Sequence, residues 1–149
     1  MLKATWCSLL LAIVALAVGG ATAQAQTVDD GTKLLGTWVD EKGGYYYSKL
    51  EIISEVKMIT YMKGSADPYS EARYSVDRKW TDDGGNTFYA CVTRWSWVPF
   101  DESKVYNKTF FLFKVDATGD SMQANHSTKA MPTDFSSGVI STYKRQQPE

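Results

Sequence analysis

From residue 35 onward the chain alternates apolar and polar positions in short runs, each stopped by Gly, Asp, Asn or Pro. A period of two sends successive side chains to opposite faces of a strand. The pattern predicts eight strands, over residues 35–39, 45–53, 56–62, 69–80, 87–98, 106–115, 121–128 and 139–145. The fourth is the clearest, with Ala72, Tyr74 and Val76 facing one way and Glu71, Arg73, Ser75 and Asp77 the other. In the fifth, Tyr89, Cys91, Thr93, Trp95 and Trp97 oppose Phe88, Ala90, Val92, Arg94 and Ser96. In the seventh, Met122 and Ala124 oppose Gln123 and Asn125, while the sixth carries Phe110-Phe111-Leu112-Phe113, apolar on both faces. The intervening segments, such as Asp40-Glu41-Lys42-Gly43-Gly44 and Asp82-Asp83-Gly84-Gly85-Asn86, have turn chemistry, and no helical period lies between them.

Short strands joined locally predict an all-β, antiparallel, up-and-down barrel over residues 34–146. Eight strands close around an interior wide enough for side chains or one small ligand. The first 25 residues belong to a different class of segment. Lys3 precedes the apolar run Leu9 to Val18, and Ala21-Thr22-Ala23 and Ala23-Gln24-Ala25 are small-x-small cleavage sites. Residues 1–25 are therefore expected to be a cleaved signal peptide, with 26–33 a mobile leader and no transmembrane segment in the mature chain. This predicts a secreted or periplasmic protein. Without Lys3, 15 basic residues face 17 acidic ones, with no basic stripe, so no nucleic acid is expected as partner. Cys91 is then the single cysteine, and its place in an alternating strand predicts a buried, inert thiol.

Catalysis needs a nucleophile with a base, a metal, or carboxylates of separated pKa. His126 is the only histidine, and its polar neighbours in Gln123-Ala124-Asn125-His126-Ser127 predict a solvent-facing ring. No spacing resembles a zinc site or a phosphate-cradling glycine loop, so neither an enzyme nor a cofactor is expected. The aromatic content is more informative, with Tyr45, Tyr46, Tyr47, Tyr61, Tyr74, Tyr89, Trp95, Trp97, Phe111 and Phe113 in predicted strands. Barrel sites are concave and largely aromatic, with a few orienting polar groups. The candidate ligand face is Tyr74, Tyr89, Thr93, Trp95 and Trp97, with Arg73 or Arg94 to meet a polar head group. The same rings would equally fill a barrel, which would leave loops 64–69 and 99–104 as an interaction or inhibitor surface. A cup of a few hundred cubic ångströms would favour the ligand; a filled interior would favour the loops. Asn107-Lys108-Thr109 and Asn125-His126-Ser127 also fit the N-glycosylation acceptor pattern.

Gly36-Thr37-Trp38 opens the first strand, Tyr143-Lys144-Arg145 closes the last, and a Lys-Val-Asp-x-x-Gly-Asp-x-Met pattern runs from Lys114 to Met122. In these features the chain resembles small secreted lipocalin-like proteins of the calycin superfamily. The resemblance implies that Trp38 plugs one end of the barrel with Arg145 over its ring, a contact worth roughly 0.5–2 kcal/mol. Gly36 and Tyr143 would belong to the same structural motif, and the opposite mouth would hold a small apolar or amphipathic molecule without catalysis. Two features depart from larger lipocalins: no helix is expected in the four residues after Arg145, and Thr133-Asp134-Phe135 falls one loop later than their Thr-Asp-aromatic motif. Avidin-like biotin binders share the Gly-Thr-Trp opening and an Arg-bearing last strand. The first turn here, 40–44, lacks the Asn and Ser pattern such sites use for the ureido ring.

Overall fold

The alternating runs form eight strands: β1 (Gly36–Asp40), β2 (Tyr47–Ser54), β3 (Lys57–Met62), β4 (Pro68–Thr81), β5 (Thr87–Trp97), β6 (Asn107–Val115), β7 (Ser121–Ser127) and β8 (Val139–Arg145). The structure is a computed structural model that describes residues 33–42 and 47–147. The expected signal peptide, most of the leader, and Gly43, Gly44, Tyr45 and Tyr46 lie outside the described residues. Each strand pairs antiparallel with the next and β8 returns to β1, giving the predicted closed up-and-down barrel. A single 3-10 turn, Glu102–Lys104, interrupts the β5–β6 connection.

The parity read from the sequence holds through most of the barrel. Trp38, Leu50, Ile52, Met58, Ala72, Tyr74, Tyr89, Cys91, Phe113, Val115 and Met122 form one buried interior cluster. A bulge between Val76 and Arg78 changes the parity of β4. Asp77 is the extra residue, so beyond it even-numbered residues face out, and Trp80 stacks on Phe88 with centroids 5.0 Å apart. Cys91 is fully buried, and burial pushes its thiol up to about 12, in line with an inert core cysteine.

One end of the barrel is closed by Arg145. Its Nε donates to the Gly119 carbonyl at 2.6 Å, Nη2 to Lys33 O at 2.7 Å, and Nη1 to Leu35 O. The guanidinium carbon lies 4.2 Å from the Trp38 ring centroid, and Trp38 Nε1 donates to Leu34 O at 2.8 Å. A Cβ on Gly36 would come within 2.6 Å of Arg145 Nη1, and the backbone there has φ +131°. Glycine at this position is thus demanded twice, by the backbone conformation and by the guanidinium. The β1–β8 seam itself is short: Trp38, Val39 and Asp40 pair across it, and Glu41 N–H to Thr142 O (3.0 Å) and Gln146 N–H to Thr37 O (2.8 Å) extend it.

The Lys114 to Met122 pattern also has a local cause. Asp116 Oδ1 accepts from the backbone N–H of Gly119, Asp120 and Ser121 at 2.8, 3.0 and 3.2 Å, and from the Thr118 hydroxyl at 3.0 Å. Burial opposes the charge, but these donors outweigh it and hold the carboxyl below its usual range. The turn built this way presents the Gly119 carbonyl to Arg145.

On the outer wall the connection 128–138 folds back over β7. Asn125 faces outward, yet it is 3 % exposed, because its Nδ2 donates to Asp134 O at 2.7 Å and Ser137 O at 2.8 Å. A Cβ on Gly138 would lie 2.6 Å from Asn125 Oδ1, so this glycine permits the close approach. Thr133-Asp134-Phe135 lies in this β7–β8 connection, where Phe135 approaches Phe88 at 6.5 Å.

Two outcomes follow. Trp38→Ala should cost about 3–5 kcal/mol in a denaturant melt, as truncation of a fully buried aromatic; a loss below about 1 kcal/mol would mean Trp38 is no plug. Asp116 has a depressed folded-state pKa, so its contribution is complete above the unfolded carboxylate value and is lost as pH falls through the folded one. Asp116→Asn should therefore destabilise at pH 7 and lose its deficit in strong acid. A pH-independent deficit would contradict this account.

Candidate functional site

The strand ends divide the barrel into two unequal mouths. The turns 55–56, 82–86 and 116–120 sit at the end held by Arg145, while the turn 63–67 and the longer connections 98–106 and 128–138 surround the other. Below the second mouth is a cavity of about 120 Å³. Trp95 of β5, Phe111 of β6 and His126 of β7 form one wall; Leu50, Thr60 and Tyr143 line the strands opposite. Tyr47, Tyr106, Asn107 and Thr128 stand at the rim, and Thr109, Ala124 and Ser141 complete the lining. None of these residues is Asp, Glu, Lys or Arg. The lower interior is occupied by the buried side chains of Trp38, Tyr74, Tyr89 and Phe113. The barrel is therefore filled at one end and cupped at the other.

The wall is an aromatic ladder. Phe113 stacks on Phe111 at 5.1 Å, and Phe111 stacks on His126 at 5.2 Å. Trp95 tilts against Phe111 at 6.2 Å. Ring pairs of this kind hold one another's orientation and contribute about 0.5–1.5 kcal/mol each beyond buried area. At the rim Trp97 stacks on Tyr106 at 4.8 Å and takes an edge contact from Tyr69 at 5.3 Å. Trp97, Val98 and Tyr106 remain substantially exposed, an apolar lip beside the mouth.

Among the seven residues predicted for the ligand face, Trp95 lines the cup. Tyr74, Tyr89 and Thr93 are buried in the barrel interior, where Tyr74 donates its hydroxyl to Ser54 O at 2.9 Å and Thr93 donates to Thr109 O at 2.9 Å. Trp97 is on the lip. Arg73 and Arg94 pair across the outer wall, where Arg73 meets Glu71 at 3.4 Å and Arg94 bonds Glu102, so neither is among the cup residues. Tyr61, one of the aromatics of the sequence pattern, also faces outward and donates to Glu51 at 2.7 Å. Of the four motif residues, Gly36, Trp38 and Arg145 build the closed end, whereas Tyr143 reaches the cup.

His126 corrects an expectation. It turns inward rather than toward solvent, because it shares the parity of Met122 and Ala124. The polar neighbours misled; the strand period had the answer. Burial holds its pKa below the ordinary histidine value, so the imidazole that faces the cup is neutral at pH 7. Among the described residues no cluster of three or more His, Cys, Asp or Glu is placed to hold a metal ion, and no helix is long and apolar enough to cross a membrane. In comparisons with protein-family models, curated proteins and solved structures, nothing matches this chain.

A proton titration of the single histidine by NMR should give a midpoint below 6.5 in the folded protein and a normal one in denaturant. The linkage sign is fixed by that shift. His126 leaves stability untouched above the unfolded pKa and lowers it as pH falls through the folded one. A midpoint at or above 6.5 would place the ring in water.

Proposed function

We propose that this barrel is a non-catalytic, secreted, lipocalin-like protein that holds a small, mostly apolar molecule in the cup at its open end. The observation that carries the reading is the lining. Five aromatic rings (Tyr47, Trp95, Tyr106, Phe111 and Tyr143) and a neutral imidazole surround a concave space whose polar groups are hydroxyls and an amide. Such a surface gains by exchanging water for an apolar body, and its few polar groups orient what enters. Catalysis has little support in this arrangement, since the single titratable side chain near neutral pH is His126, stacked on Phe111 with no carboxylate or thiol among the lining residues. No cofactor and no nucleic acid enters this reading. Export rests on the sequence of residues 1–25.

A second reading draws on the lip of Trp97, Val98 and Tyr106, which borders the 98–106 connection and is apolar enough to meet a protein partner. In that reading the cup is secondary and the connections around the mouth are the working surface.

Native mass spectrometry of mature protein purified gently from its own host separates the two. The expected result is a reproducible extra mass that organic extraction removes. Ala124→Leu projects added bulk from the buried base of the cup and should abolish the extra mass while the fold persists by circular dichroism. Extra mass that survives in the Ala124→Leu protein would place the ligand elsewhere. A bare wild-type mass would shift the weight to the lip.

A further inference from the structure

The dimensions and chemistry of the cup narrow its ligand, given the reading of the cup as the binding site. We propose that it selects one uncharged planar ring bearing a hydrogen-bonding substituent, a phenol-like or small heteroaromatic molecule, over an alkyl chain or an anion.

Size is the first reason. The cavity is about 120 Å³, near the roughly 150 Å³ of an apolar protein cavity that takes up benzene and well below the usual range of about 300–1,000 Å³ for larger ligands. A chain that entered the mouth could not thread deeper, because Tyr74, Tyr89, Phe113 and Trp38 fill the barrel beneath. Shape is the second. Phe111 and His126, stacked on one another and backed by Phe113, line one wall, with Trp95 tilted beside them. Ring faces reward another planar π-system in offset or edge contact, a gain a flexible chain does not share, and a rigid ring loses little conformational freedom on entry.

Charge is the third. No Asp, Glu, Lys or Arg lines the cup. Arg73 and Arg94, the nearest candidates by sequence for an anionic head group, are engaged with Glu71 and Glu102 on the outer wall. An ion entering would shed water and find no counter-charge. A neutral substituent fares better, since Asn107, Thr109 and Ser141 place an amide and hydroxyls among the rings. Thr128 and the phenols of Tyr47, Tyr106 and Tyr143 add further hydroxyls, whereas that of Thr60 is already paired with Ser70 at 2.6 Å.

Three probes separate these features: phenol, hexan-1-ol with the same number of heavy atoms but no ring, and benzoate with a ring and a negative charge. Each is titrated into the full mature protein at pH 7.5 and followed by amide and indole NMR shifts. Phenol is expected to saturate with shifts centred on Trp95, Phe111 and His126. Hexan-1-ol should bind about fivefold more weakly, and benzoate about tenfold more weakly. Phe111→Leu should weaken phenol about fivefold and leave hexan-1-ol unchanged; Trp95→Leu repeats the test on a neighbouring strand should the first variant fail to fold. If hexan-1-ol matches phenol at the cup residues, the ring selectivity is overturned, and if benzoate does, the selectivity against an anion is overturned, while in both cases the cup remains a binding site. If no probe shifts the cup residues, the cup reading falls and this inference with it.

Discussion

The two ends of the barrel sheet meet at one guanidinium. The β1–β8 seam is short, three residue pairs extended by the Glu41 N–H to Thr142 O and Gln146 N–H to Thr37 O bonds. Arg145 supplements it by bonding three carbonyls from two separate parts of the chain, Lys33 and Leu35 before β1 and Gly119 in the β6–β7 turn, while its flat face lies on Trp38. Hydrogen bonds to a charged group are worth roughly 1.5–3 kcal/mol each, more than their neutral counterparts. The rigid fork explains why lysine, a single point charge, could not take its place. Gly36, Trp38, the Asp116 turn and Arg145 thus form one mechanical unit, although about 110 residues separate its ends in sequence.

That unit consolidates one end and releases the other from structural duty. The lower barrel is packed with Trp38, Tyr74, Tyr89 and Phe113 at or near zero exposure. Above them, the turn 63–67 and the longer connections 98–106 and 128–138 frame the cup. The eight-stranded geometry leaves room for one occupant of the axis at each level. At the bottom that occupant is protein, and at the top it is space bounded by Trp95, Phe111, His126 and Tyr143.

The fold was legible because it depends on period and turn chemistry, both local. Alternation in β4 and β5 gave the inner and outer faces, and the glycine-rich segments gave the connections. The cup was less legible for a geometric reason. Tyr89, Thr93, Trp95 and Trp97 share one face of one strand, so sequence treats them alike. They differ in height along the barrel axis, which places Tyr89 and Thr93 in the packed interior, Trp95 at the cup and Trp97 on the lip. Height follows from the stagger of neighbouring strands, a property of the whole sheet. Phe111 and Tyr47 were visible as part of the aromatic excess but not as cup residues. His126 was recoverable from parity with Met122 and Ala124 alone. The bulge at Asp77 left no comparable mark, and Asn125 shows the limit of polarity as a guide, since its burial comes from a distant connection folding over it.

The seating of that connection bears on how the chain can be decorated. Asn125 begins one of the two Asn-x-Ser/Thr triplets, and its side-chain nitrogen already gives both hydrogens to Asp134 and Ser137. An oligosaccharide on that nitrogen is incompatible with both bonds and with a residue enclosed to 3 % exposure. A molecule glycosylated there before folding would have to leave the 128–138 segment undocked and strip the cover from the outer wall of β7. The other triplet begins at Asn107, on the rim of the cup, where a sugar would stand over the entrance. The acceptor triplets thus mark two different hazards for a host that adds glycans, a fold that cannot finish at one position and a mouth that is obstructed at the other.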